Sequence, residues 1–127
     1  MVAYLLGGKA VHRFFSLGVN LECFLEWRTI DCSMINNADV LIIDECSMIS
    51  AGLLETVHKL CCFATKDAGK NKLLFAGKSV YLFGDLFQLP AVENPQVFQS
   101  PLWKHFQMVS PKENSRQSKD LVYTELN

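Results

Sequence analysis

Asp39-Val40-Leu41-Ile42-Ile43-Asp44-Glu45 decides the fold of this chain. Its core of β-branched residues and leucine shows no alternation, the pattern of a strand buried on both faces of a parallel sheet. Ser79-Val80-Tyr81-Leu82-Phe83-Gly84 repeats that pattern. Between the two, Ser50 stands where it can cap a helix whose apolar residues Leu53, Leu54, Val57, Leu60, Cys61 and Ala64 fall on one face at helical spacing. Strand, helix, strand makes a βαβ unit. Such a crossover is right-handed in nearly all proteins, so both strands are expected to lie parallel in one sheet with the helix packed on a face. The fold class is therefore α/β.

Outside this unit the signals weaken. The 69–77 stretch, with Lys66, Lys70, Lys72 and Lys78 around Leu73, Leu74 and Phe75, reads as a solvated loop. After Pro90 the chain is broken by Pro95, Pro101 and Pro111. Leu102-Trp103-Lys104-His105-Phe106 is expected to form one or two helical turns, and Met108-Val109 a short third strand. The apolar opening Val2-Ala3-Tyr4-Leu5-Leu6 has no cap, and Leu121-Val122-Tyr123-Thr124-Glu125-Leu126-Asn127 looks like an unfinished helix. Both ends read as cuts through structure.

At 127 residues, half of them apolar, the chain is long enough for the core of one domain. A formal charge of −1 gives no global field for nucleic acid, so any such contact is local. Cysteines 23, 32, 46, 61 and 62 include no C-x-x-C pair, no histidine stands at zinc spacing, and their number is odd. They read as reduced, mostly buried thiols of an intracellular protein. No apolar run approaches the ~20 residues of a membrane span, and the first residues lack the basic start of a signal peptide.

In open parallel sheets, ligands bind beyond the carboxyl ends of the strands. Here the first strand runs into Asp44-Glu45 and the second into Gly84-Asp85, so three carboxylates can line one sheet edge. One acid after a buried strand is more often a turn or a helix cap; two strands ending this way call for more. A hydrophobic strand followed by Asp-Glu is the Walker B pattern of nucleotide hydrolysis, in which Asp holds Mg²⁺ and Glu orients and deprotonates the attacking water.

The neighbouring residues make the pattern specific. Ile42-Ile43-Asp44-Glu45-Cys46-Ser47-Met48-Ile49-Ser50 resembles the second motif of the Pif and RecD-like branch of superfamily-one helicases. Phe83-Gly84-Asp85-Leu86-Phe87-Gln88-Leu89-Pro90-Ala91-Val92 resembles their third motif. Gly7-Gly8-Lys9-Ala10-Val11-His12-Arg13-Phe14-Phe15 resembles the motif after the Walker loop, and Glu113-Asn114-Ser115-Arg116-Gln117 their fourth. The motifs stand in the family's order and span residues 7 to 117.

The resemblance implies a partial RecA-like P-loop NTPase lobe, with a mostly parallel sheet and flanking helices, as one incomplete unit over residues 1–127. It implies ATP as substrate and Mg²⁺ as cofactor, with Asp44 as the metal carboxylate and Glu45 as the catalytic base. Asp85 and Gln88 would join the nucleotide site, Gln88 as sensor of the γ-phosphate or attacking water. Arg116 would approach the γ-phosphate. His12, Arg13 and Phe14 would touch single-stranded DNA, the first two at phosphates and the aromatic by stacking. Beside these stand plainer readings: Gln88 as a loop-stabilising amide, Arg116 as a surface arginine, and Val11, Phe14 and Phe15 as core. Phe15 is read as core.

The sequence also departs from the family. Leu86 replaces a common aromatic, Ala91 a proline and Ser115 an aromatic. The chain contains no Gly-x-x-x-x-Gly-Lys-Ser/Thr loop for the phosphates, and Gly7-Gly8-Lys9 is not that loop. The expected parent is an intracellular ATP-dependent helicase moving 5′ to 3′ on DNA, serving repair, recombination and telomere maintenance, with the nucleus its first expected compartment and the mitochondrion the alternative. The piece itself is expected to be inactive alone. Two rival readings are a non-catalytic remnant or binding module, and a nuclease whose metal site is Asp44, Glu45 and Asp85.

Overall fold

The computed structural model describes residues 7–17, 32–88, 91 and 95–111. The expected βαβ unit is present. Strand β1 (Val40–Ile43) and strand β2 (Ser79–Leu82) pair in parallel, with Val40 opposite Ser79 and Ile43 opposite Leu82. Helices α1 (Val11–Phe14) and α2 (Ser33–Asn37) precede them, and α3 (Ala51–Ala64) forms the crossover. Ser50 caps α3 as expected, its Oγ accepting the Leu53 N–H at 3.2 Å. All six apolar positions expected on the helix's inner face are buried, and Leu54, Val57, Leu60 and Cys61 are wholly so.

One face of the sheet meets this helix layer. Leu41 and Ile43 are buried and join the core, with Val80 and Leu82 packed against it. The other face is open among the described residues: Ile42 is 69% exposed, and Val40, Tyr81 and Phe83 are exposed beside it. Burial of β1 on both faces is therefore not observed. An unbroken apolar run records the affinity of both faces for a layer, while among the described residues a layer covers only one of them.

Two other expectations need correction. The 69–77 stretch is solvated except at Phe75 and Ala76, which are buried. The Phe75 ring packs edge-on against His58 at 5.2 Å and Phe106 at 6.1 Å, so an aromatic in a lysine-rich loop becomes core. Met108 and Val109 form no strand and are 72% and 78% exposed. Nothing described lies beside them to supply a ladder, and without partners an extended segment gains no backbone hydrogen bonds. The expected helical turn before them does form, as a 3-10 turn at Trp103–His105.

The amino ends of the strands are fastened together. Lys78 Nζ donates to the Ala38 carbonyl at 2.7 Å, and the Ser79 N–H donates to Asp39 O at 3.0 Å. At the other end of the sheet, the segment after β2 returns to α3. The Ala51 N–H donates to Pro95 O at 2.9 Å, and Val97 is wholly buried.

Candidate functional site

Parallel pairing sets the carboxyl ends of β1 and β2 side by side, and the pairing continues past both strands. The Phe83 N–H donates to Ile43 O at 2.9 Å, and the Cys46 N–H donates to Phe83 O at 2.8 Å. Between these two bonds lie Asp44 and Glu45, both exposed. Asp44 Oδ1 accepts the Glu45 N–H at 3.0 Å. Glu45 itself adopts the left-handed conformation, with φ 54° and ψ 48°. A residue with a Cβ loses roughly 1–2 kcal/mol there, so the surroundings must hold it. Strain of this kind gathers at functional sites.

The holding contact comes from the second strand's loop. A Cβ placed on Gly84 would stand 2.8 Å from the Cys46 backbone nitrogen and 3.1 Å from its Sγ. Only glycine allows this approach. Cys46 is buried, and burial raises its thiol pKa above the ordinary value, helped by the neighbouring Glu45 and Asp44 carboxylates. Next to it, Ser47 is buried with no hydrogen-bond partner for its Oγ among the described residues.

Beyond Gly84 the chain turns on Asp85. Its Oδ1 accepts the Phe87 N–H at 2.9 Å, its carbonyl accepts the Gln88 N–H at 3.1 Å, and its Oδ2 accepts Gln88 Nε2 at 3.3 Å. Asp85 thus shapes the loop and holds the Gln88 amide group, while Gln88 stays exposed. Such an arrangement can present one amide to a ligand at the sheet edge.

The three carboxylates share an edge but make no metal cluster. Among the described residues no three His, Cys, Asp or Glu side chains converge on a point that could hold an ion. No nuclease centre built from Asp44, Glu45 and Asp85 is assembled among the described residues.

Helix α1 carries the remaining candidates. His12 and Arg13 are exposed. Phe14 is half-buried, packs against the core and meets Phe15 edge-on at 4.9 Å; Phe15 is buried, as read. Lys9, beside the glycine pair, donates to Met34 Sδ at 3.4 Å. Arg116 lies outside the described residues, as do Leu89 and Pro90. From sequence, Cys46 is one of five thiols expected to be reduced and mostly buried, and nothing links it to Gly84. Gly84 was visible only as a motif letter, since a contact between two loops leaves no local pattern.

Comparison with known proteins agrees with the motif reading. The chain matches the family described as PIF1-like helicase over residues 1–126. It is 32% identical to the ATP-dependent DNA helicase Pif1 of Bdellovibrio bacteriovorus over 131 aligned positions, covering 94% of this chain and 29% of that protein. It is 28% identical to the ATP-dependent DNA helicase RRM3 of Saccharomyces cerevisiae, covering 82% of this chain and 16% of that protein. The crystal structure of Pif1 helicase from Candida albicans superposes with a TM-score of 0.64 at 26% identity, over 81% of this chain and 25% of that one. The chain thus spans less than a third of each of these relatives.

Proposed function

Because the chain belongs to the PIF1-like helicase family, we propose that it forms part of the ATP-hydrolysing motor of a DNA helicase, with Asp44 and Glu45 as its Walker B pair. The observation that carries this reading is the junction at the carboxyl edge of the sheet. There Glu45, held in a left-handed conformation, lies between hydrogen bonds that tie its loop to the loop of Asp85 and Gln88.

In this reading Asp44 would hold Mg²⁺, which when bound would supply charge neutralisation at the phosphates of ATP. Glu45 takes the proton of the attacking water. Gln88, held by Asp85, orients that water or the γ-phosphate. Arg116 approaches the γ-phosphate as charge is transferred. His12 and Arg13 contact phosphates of single-stranded DNA, and Phe14 stacks on a base. The parent protein moves 5′ to 3′, is intracellular with the nucleus as its first compartment, and serves repair, recombination and telomere maintenance.

Residues 1–127 contain no Walker loop. Its amides and lysine supply most of the phosphate affinity in this class, so these residues alone are expected to turn over ATP very slowly. The test uses this sequence joined to a Walker loop and a second RecA-like lobe, with forked DNA. ATP-dependent strand separation without cleavage is the expected result. Cleavage with Mg²⁺ and no ATP would overturn the helicase reading and restore the nuclease.

A further inference from the structure

We infer that Gly84 is a positioning residue for Glu45: its missing side chain lets the Cys46 backbone sit against the β2 loop, and that contact holds Glu45 in the left-handed conformation. The inference rests on Glu45 as the base proposed above.

Three bonds frame the Glu45 backbone. Its own N–H donates to Asp44 Oδ1 at 3.0 Å, its carbonyl accepts the Met48 N–H at 2.9 Å, and the next N–H, of Cys46, donates to Phe83 O at 2.8 Å. The first two lie within the loop and can move with it. Only the third ties the loop to the neighbouring strand. An L-residue released from such a tie leaves the left-handed region, because Cβ crowds the following carbonyl there. The direction of the Glu45 side chain would then change with its backbone.

Gly84 stands against this tie. The first atom that an added Cβ meets is the Cys46 nitrogen at 2.8 Å, then Cys46 Sγ at 3.1 Å and the Glu45 carbonyl carbon at 3.4 Å. Two of these three are backbone atoms, so no rotamer change relieves the clash. Gly84 also sits at φ 157°, where any side chain strains its own backbone, so in Gly84→Ala the Cys46–Phe83 bond lengthens or the loops part, and Glu45 is released with them.

Gly84→Ala tests this in two settings. In residues 1–127, it should speed exchange of the Cys46 amide and raise alkylation of the Cys46 thiol, read peptide by peptide by mass spectrometry. In the chain joined to a Walker loop and second lobe, kcat should fall about 100-fold, as for a misplaced catalytic group, with KM for ATP little changed. Adding Cys46→Ala should not restore kcat, because the backbone contact remains; rescue would mean ordinary side-chain packing and overturn the inference. Val57→Ala, a core change in α3 chosen to destabilise the chain, should speed exchange across the core alike, with no excess at Cys46, and leave kcat in place.

The wild-type chain gives an independent check if the variant fails to fold: its Cys46 amide should be protected, and exchange at the rate of an open peptide would contradict the inference. If Gly84→Ala keeps kcat while Glu45→Gln abolishes it, the inference fails and the function stands. If Glu45→Gln turns over normally, both fail.

Discussion

The Phe75 backbone N–H donates to His58 Nδ1 at 3.0 Å, which requires that nitrogen to be unprotonated. The bond ties the middle of α3 to a turn in which Phe75 and Ala76 both have positive φ, at 48° and 56°. Burial lowers the His58 pKa below its ordinary 6.5, and the Lys59 charge adds to this; Cys62 Sγ lies 3.7 Å from the same nitrogen. The unfolded chain then binds a proton at higher pH than the folded one. Stability from this group is complete above 6.5 and falls as the pH drops through the folded value. Denaturant midpoints measured from pH 8 to 5 should decline below 6.5 in the wild type and decline less in His58→Asn. Parallel profiles would remove His58 from the account.

Two buried serines near the site should respond in opposite directions. Ser50 Oγ caps α3, so Ser50→Ala should cost about 1 kcal/mol, while Ser50→Asp keeps most of the cap. The Ser47 hydroxyl is buried without a partner among the described residues, and Ser47→Ala removes an unmet polar group, so it should raise stability by about 1 kcal/mol. Urea unfolding of the three variants decides it. Destabilisation by Ser47→Ala would mean that the hydroxyl is bonded, for instance to a water.

Helix α1 predicts a split between DNA affinity and stability. His12 is exposed, so His12→Ala should weaken single-stranded DNA binding without shifting the melting temperature. Phe14 packs on Phe15, so Phe14→Ala should lower the melting temperature and also remove ~1–3 kcal/mol of DNA affinity if a base stacks on it. A lower melting temperature with unchanged affinity would assign Phe14 to the core alone.

The contrast between Leu53 and Glu45 explains what could be read from sequence. Leu53 and the other inner positions of α3 follow a periodicity set within one element, and Ser50 a local capping rule, so both were legible. The parallel pairing followed from the crossover. Ile42 was misread because a residue's own apolarity does not say which layers are present. Phe75 was misread because its lysine neighbours dominate the local composition, while its partners His58 and Phe106 are distant in sequence. Asp44, Glu45, Asp85 and Gln88 were legible as motifs. Their linkage through Cys46 and Gly84 depends on how two loops meet, which no window of sequence contains.

The most direct test of the Walker B assignment compares Asp44→Ala with Glu45→Gln in the chain joined to a Walker loop and second lobe. Nucleotide binding is followed by fluorescent ATP analogue titration with Mg²⁺, and hydrolysis by phosphate release with single-stranded DNA. Glu45→Gln should bind nucleotide as the wild type does and lose hydrolysis, because the amide cannot take a proton from water. Asp44→Ala should lose hydrolysis and also weaken Mg²⁺-dependent binding. Wild-type turnover in Glu45→Gln would contradict the account.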